Sequence, residues 1–429
     1  MFKSRSVPAC AVCINTKERF CLHMLRVFFN AVAKKLGDTL FKSGAVSGYI
    51  ALQLSADKLI GESMENINNR SSSQVVVQDV MKIKKGERVL IIANPETYGI
   101  AQNLYNAVEK QQALPTLIIQ PDKTSFDNAN EETLQAIATA PDVCFSISSI
   151  KLGKDPHASA SPYKTDDGNE FTHIFDYLLD GKKVIRAAWT PGITQDMMDR
   201  TAAIDYHELR NRCKVLEEKF TGAVSVVVKA PGGTDITITV EKRKLMFDDG
   251  DFSKPGTGGN IPAGEVFISP VVGKSNGKIV FDGSMTFSDG DSILNTPIYC
   301  DVENGFVTKI EGGSEAQRLL QTITEAENRA VSYEREGKLP QGQGEIYKKN
   351  ARNIGELGIG LNPNALITGN MLEDEKAFHT CHFAIGENYD NDAPSLIHLD
   401  GVVKNPTITI FYADGSLHDI LKDGNLQDC

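Results

Sequence analysis

A change of pattern near Gly222 constrains the fold of this 429-residue chain more than any other feature. Before it, short apolar runs alternate with helical stretches. "GERVLIIANPETYGIAQNLYNAVEKQQALPTLIIQPD" reads as a strand at Val89 to Ala93, then a helix with Ile100, Leu104, Ala107 and Val108 on one face, then a strand at Leu117 to Ile119. "DVCFSIS" and "KKVIRAAW" continue the alternation, which predicts a parallel sheet covered by helices. The turn "ANPETYG" lacks a Gly-x-Gly-x-x-Gly run, so it is not read as a dinucleotide site. "PGITQDMMDRTAAIDYHELRNRCKVLEEKF" then reads as a long amphipathic helical region joining the two halves.

Beyond Gly222 the runs become short, β-rich and punctuated by turns. "AVSVVVKAPGGTDITITVEKRK" is a hairpin signal, and "EVFISPV", "GKIVFDG", "PIYCDV" and "GFVTKIEG" are further strand candidates. One helix interrupts them at "SEAQRLLQTITEAENRAV". There Ser314 and Gln317 stand at capping-box spacing, and Leu319, Leu320, Ile323 and Ala330 form an apolar stripe. "IGELGIGLNP", "TCHFAIG" and "SLIHLDGVV" are the last strand candidates. The expected fold class is therefore α/β: an N-terminal parallel-sheet domain at 71–221, then a β-rich α+β domain at 222–429 that carries a metal site.

Residues 1–70 are expected to lie outside this body, as an extension or a start assigned too early, with Met24 or Met64 as the true start. "PACAVCINTKERFCLHM" offers Cys10, Cys13, Cys21 and His23 as a four-ligand zinc set on paper, but no small metal-stapled module follows it. The stretch is also basic and acid-poor, as targeting segments are. A formal charge of −11 without a long Lys/Arg run argues against nucleic acid, and no apolar run reaches the ~20 residues that span a bilayer. The eight cysteines are scattered, several in apolar runs, which fits free thiols in a reducing cytoplasm.

Three of the eight histidines, His379, His382 and His398, fall in "FHTCHFAIGENYDNDAPSLIHLDGVV". In a strand, residues two apart share a face, so "HLD" projects His398 and Asp400 into one space, whereas His379, three before His382, falls on the opposite face and is set aside. His382, Glu356 in "IGELGIG" and Glu265 in "PAGEVFISP" stand in apolar strand contexts, where a carboxylate is costly unless it is paired or holds a cation. Two nitrogens and three carboxylates suit one or two divalent ions of the Zn, Co or Mn type. The competing structural reading pairs Glu265 and Glu356 with arginines.

"NIPAGEVFISPVVGKSNGKIVFDGS", "ELGIGLNP", "LEDEKAFHTCHFAIGENY" and "IHLDGVV", in this order, resemble the motif series of the M29 metallo-aminopeptidases, the aminopeptidase T and aminopeptidase S group. The similarity runs from about Val75 to Leu417. It implies two divalent metal ions on Glu265, Glu356, His382, His398 and Asp400, a general base at Glu375 with Glu373 as the alternative, and Tyr389 beside the metals. The implied activity is release of the N-terminal residue from peptides with a free N-terminus by a two-metal-activated water, in a cytoplasmic homodimer. The stretch from His382 to His398 is shorter, and the spacing from base to His382 wider, than in that family.

A rival reading stays open. The same fold family includes pyridine-diol ring-cleaving dioxygenases, in which one ferrous ion sits on two histidines and an aspartate; His382, His398 and Asp400 supply that set. Glu265 and Glu356 favour the two-metal hydrolase on this reading, since one iron leaves both without a cation. A third reading is a non-catalytic homologue.

Overall fold

The computed structural model describes residues 70–124 and 127–427, and from Ser71 onward the chain forms one compact unit. The candidate zinc set at Cys10 to His23 lies outside the described residues. A five-stranded parallel sheet occupies the first part, in the order Gly258–Asn260, Arg186–Trp189, Val143–Ile147, Arg88–Ala93, Leu114–Ile119. Its central strand, Val143–Ile147, is buried throughout, as a strand with covered faces must be. The helix Tyr98–Lys110 buries Ile100, Ala101, Leu104, Ala107 and Val108. The edge strand Gly258–Asn260 comes from well beyond Gly222, so the later part of the chain completes the parallel sheet.

The helical region after Pro191 is two helices, Gln195–Arg200 and Tyr206–Phe220. The first ends at its C-cap Thr201, and the Asp205 carboxylate accepts from the amides of His207 and Glu208 to start the second.

Besides a two-stranded pair at Tyr163–Lys164 and Glu170–Phe171, there are two large antiparallel sheets. An eight-stranded sheet runs Phe306–Glu311, Ile298–Glu303, Asn276–Phe281, Asp235–Thr239, Ala223–Lys229, Thr407–Tyr412, Leu417–Lys422, Asn425–Leu426. Its last three strands were not anticipated from the sequence; exposed Leu417 and the turn residues around Gly415 and Gly424 blur their alternation. A seven-stranded sheet runs Gly290–Ile293, Ser284–Phe287, His398–Lys404, Thr380–Gly386, Ile354–Gly360, Glu265–Ile268, Met246–Asp248. Leu357, Ile359, Phe383, Ile385, Leu399 and Val403 alternate onto one of its faces and join one core with Val226, Val228, Ile236, Ile279 and Phe281 of the eight-stranded sheet. The fold is mixed α/β, with one parallel and two larger antiparallel sheets.

The helix Ser314–Arg335 buries Leu319, Ile323 and Ala330, but Leu320 is exposed. No capping box forms at its start: Gly313 is the N-cap, and the Ser314 hydroxyl turns to the Glu315 carboxylate. Serine begins the helix here and does not precede it.

Phe383→Ala tests the two-faced character of the central strand. The wholly buried ring fills the core, so its loss costs about 3–5 kcal/mol in denaturant unfolding. The side chain leaves the sheet opposite His382, so the folded variant keeps its affinity for a divalent ion.

Candidate metal centre

The face of the seven-stranded sheet turned away from this core carries the polar residues. Pairing across the strands aligns them: Asp248 lies opposite Glu265, Glu265 opposite Gly360, Gly358 opposite His382, Glu356 opposite Ala384, and Ala384 opposite Asp400. From Glu356 to Ile359 the pairing is regular, so Glu356 shares this face with Gly358, and the register shift falls before it, between Ile354 and Glu356. Small residues alternate with the ligating ones, and His382 depends on one of them. A Cβ on Gly358 would lie 2.1 Å from the imidazole Cε1 and Nε2, so only glycine leaves room for the ring.

The segment after the short helix Met371–Asp374 covers this face. The carbonyl of Ala377 crosses directly over Gly360, where a Cβ would lie 2.0 Å from it. This crossing delivers Glu375 and Lys376.

Glu265, Glu375 and His382 form one group whose ligand atoms lie within 4.8 Å of one another, and Glu356, His398 and Asp400 form a second. Glu356 joins them: one carboxylate oxygen lies 3.1 Å from His382 Nε2 and the other 3.2 Å from His398 Nε2. His398 Nε2 is also 3.3 Å from Asp400 Oδ1, and His382 Nε2 is 3.5 Å from Glu265 Oε2. Six of the seven site residues expected from the sequence, Glu265, Glu356, Glu375, His382, His398 and Asp400, thus converge. Tyr389, the seventh, sets its ring edge-on to His398 with centroids 5.3 Å apart and packs at 4.9 Å against Phe267. It is 52% exposed.

Glu373 is elsewhere. Its buried carboxylate accepts from Arg200, the Thr201 hydroxyl and the Leu366 amide. His379 precedes its strand with a left-handed φ of 67°, and its Nδ1 donates to the Gly424 carbonyl at 3.0 Å.

The hydrogen bonds fix what the rings can do. His398 Nδ1 lies 2.9 Å from the Glu387 carbonyl, which can only accept, so Nδ1 carries a proton and Nε2 is left to face the carboxylates. Burial alone disfavours a charged imidazole, yet Glu356, Glu265 and Asp400 raise His382 to about 10, and Asp400 and Glu356 hold His398 well above its ordinary value. Conversely, although burial opposes it, the two rings hold Glu356 down at about 2. Without a metal, each Nε2 proton therefore sits where a cation belongs. Although the residue as a whole is half exposed, desolvation near its phenol raises Tyr389, and Glu356, Asp400, Glu375 and Glu265 reinforce the shift, so the phenol stays a donor.

Two participants escaped the sequence reading. Lys376, wholly buried, lies 3.1 Å from Glu265 Oε1 and 3.7 Å from Asp248 Oδ2, and pairs closely with Glu375. Burial opposes its charge, but these three acids hold its pKa above the ordinary lysine value. Burial in turn pushes Asp248 up to about 7. In sequence, Lys376 closes the acidic run "EDEK" as a solvated charge would, and Asp248 reaches the site only through its pairing with Glu265. A lysine, with no arginine, therefore gives Glu265 its cation, and two imidazoles serve Glu356. The premise that a single ion would strand both carboxylates fails.

The donor set fits a divalent cation: two imidazoles and several carboxylates converge on one dry face, and the buried Glu265 Oε2 makes no hydrogen bond. Among the described residues, no helix is long and apolar enough to cross a membrane, and Cys144, Cys213, Cys300 and Cys381 are free and buried.

A family model described as NicX: 2,5-dihydroxypyridine 5,6-dioxygenase matches residues 178–427, a stretch that contains every residue of this site. A 2,5-dihydroxypyridine 5,6-dioxygenase of Pseudomonas putida is 25% identical over 240 residues, or 53% of this chain; the match spans 61% of that protein's length. Among solved structures, 2,5-dihydroxypyridine dioxygenase from P. putida superimposes with a TM-score of 0.58 at 16% identity, covering 83% of this chain and 97% of that one. AmpT from Thermus thermophilus gives 0.53 at 15% identity, covering 83% and 98%. The structural likenesses establish the fold and leave the reaction open, because they include both chemistries. Both sequence matches carry the dioxygenase description, which overturns the expectation of a metallo-aminopeptidase, hydrolase and protease; AmpT supports only the part of that resemblance that concerned fold.

Two outcomes test the centre. Because His382 and His398 are protonated at neutral pH without metal, binding an ion expels at least one proton. Affinity then rises as pH rises, by about tenfold per unit for each proton displaced. Calorimetric titration in buffers of different ionisation enthalpy reads this directly, and a buffer-independent heat would contradict it. Gly358→Ala displaces the His382 ring and lowers metal affinity by about 10–100-fold, with the fold retained by circular dichroism.

Proposed function

We propose, because this chain belongs to the 2,5-dihydroxypyridine 5,6-dioxygenase family, that it is a ring-cleaving dioxygenase that uses ferrous iron and acts on a dihydroxylated pyridine or a closely related planar diol. The observation that carries the reading is the family match over residues 178–427, within which His382, His398 and Asp400 stand together on one sheet face.

Those three residues would hold the iron, with Glu356 against both imidazoles. A ferrous ion on two histidines and a carboxylate supplies open coordination positions and one-electron chemistry for reaction of a diol with dioxygen. The remaining work belongs to the chain. The Glu387 carbonyl fixes the His398 tautomer. Glu375, whose carboxyl burial raises above the ordinary range, is the base that accepts a proton from a ring hydroxyl as the diol binds. Tyr389 keeps its phenolic proton and donates to a substrate oxygen, and with Phe267 it forms an aromatic wall for a flat ring to pack against. Arg243 pairs with Asp390 at 3.4 Å and with Asp392 at 2.7 Å, which holds the loop that carries Tyr389.

Full-length protein loaded anaerobically with ferrous iron and given 2,5-dihydroxypyridine should consume oxygen as the ring absorbance disappears. Asp400→Asn, which keeps the size but loses the charge, should lower the rate to background. Leucyl-anilide hydrolysis with added zinc or cobalt, together with no oxygen uptake in iron, would overturn the reading.

A further inference from the structure

We infer that Lys376 is a built-in cation that occupies the Glu265–Glu375 end of the site and limits it to one divalent ion per chain. This rests on the single-ion reading above and explains it from the chain's own residues.

The sheet face holds two groups of three potential ligands, each close enough for a metal. They differ in what already neutralises them. Among the described residues, Glu356 and Asp400 make their ion pairs with imidazoles alone, and an imidazole nitrogen is itself a metal ligand. Glu265 and Glu375 instead grip the Lys376 ammonium, with Asp248 as a third acid at 3.7 Å. An ammonium has three donors and no acceptor, so it takes carboxylate oxygens as a metal would and cannot itself be a ligand. A divalent ion in this group would compete for the same oxygens beside a positive charge.

Nor is Lys376 free to withdraw. Its side chain is wholly buried, and its carbonyl accepts from the Asn362 amide at 3.0 Å. The next carbonyl, of Ala377, lies over Gly360 and accepts from the Thr380 hydroxyl at 2.8 Å. Upstream, Glu373 is fastened to Arg200 and Thr201. The backbone is held on both sides, and the ammonium is directed into the acids.

The test counts ions. Metal-free, full-length protein is titrated with Co(II), with elemental analysis after desalting. Wild type should take one ion per chain, Lys376→Arg one, and Lys376→Met two, with the Tm of Lys376→Met still rising as the second equivalent is added. A purely structural lysine would not be replaced by a metal in this way. Lys376→Met leaves its carboxylates uncompensated, so Lys376→Gln, whose amide keeps two donors, serves as a second variant. Two ions in wild type, or one ion in folded Lys376→Met and Lys376→Gln, would overturn the inference. Wild type with one ion and no dioxygenase turnover would overturn the functional reading and leave this one standing.

Discussion

Four carboxylates, Asp248, Glu265, Glu356 and Asp400, lie on one face of a sheet, a fifth, Glu375, reaches them from the segment that covers it, and the surrounding structure answers that concentration of charge. Moving an ion out of water costs several kcal/mol even after relaxation, so each acid needs a cation or donors in close contact. The protein divides the work. Lys376 serves one end, two imidazoles serve the other, and Glu356 spans the boundary through its contacts with both rings. The small residues of the sheet, Gly358 and Gly360, follow from the same demand: one clears space for His382, and the other lets the segment bearing Lys376 pass overhead.

Much of this was legible in the sequence because strands obey a two-residue period. His398 and Asp400, Glu265, Glu356 and His382 could be assigned to strands and faces from alternation alone, and pairing brings them together. Alternation says nothing about what crosses a sheet, so Lys376 was invisible, and with it the reason that Glu265 is tolerated. Asp248 was hidden for a related reason: only its register opposite Glu265 places it in the site. The helix break between Arg200 and Tyr206 and the exposed Leu320 show the same limit, since local periodicity does not report which neighbour is present.

The choice of chemistry was the least legible element. A fold that superimposes on both a dioxygenase and AmpT supplies a scaffold, and chemistry is decided by the groups grafted onto it. The motif series that suggested a hydrolase is a description of strands with ligands at fixed positions. It does not encode how many cations those ligands share, which turns here on a residue between the motifs.

The strap from Asn370 to Ala377 shows how little slack such an arrangement has. Asn370 donates to the Gly192 carbonyl, Glu373 binds Arg200, Asp374 accepts from the Thr368 and Gly369 amides, and Lys376 reaches Glu265. Side chains close together in this stretch thus serve different parts of the structure, each at its own angle around the backbone. Exchanging one of them alters only the contacts of that side chain. Adding or deleting one residue turns every later side chain toward the wrong surroundings, sending an acid where the ammonium belongs. In this stretch chain length is as stringent a requirement as residue identity.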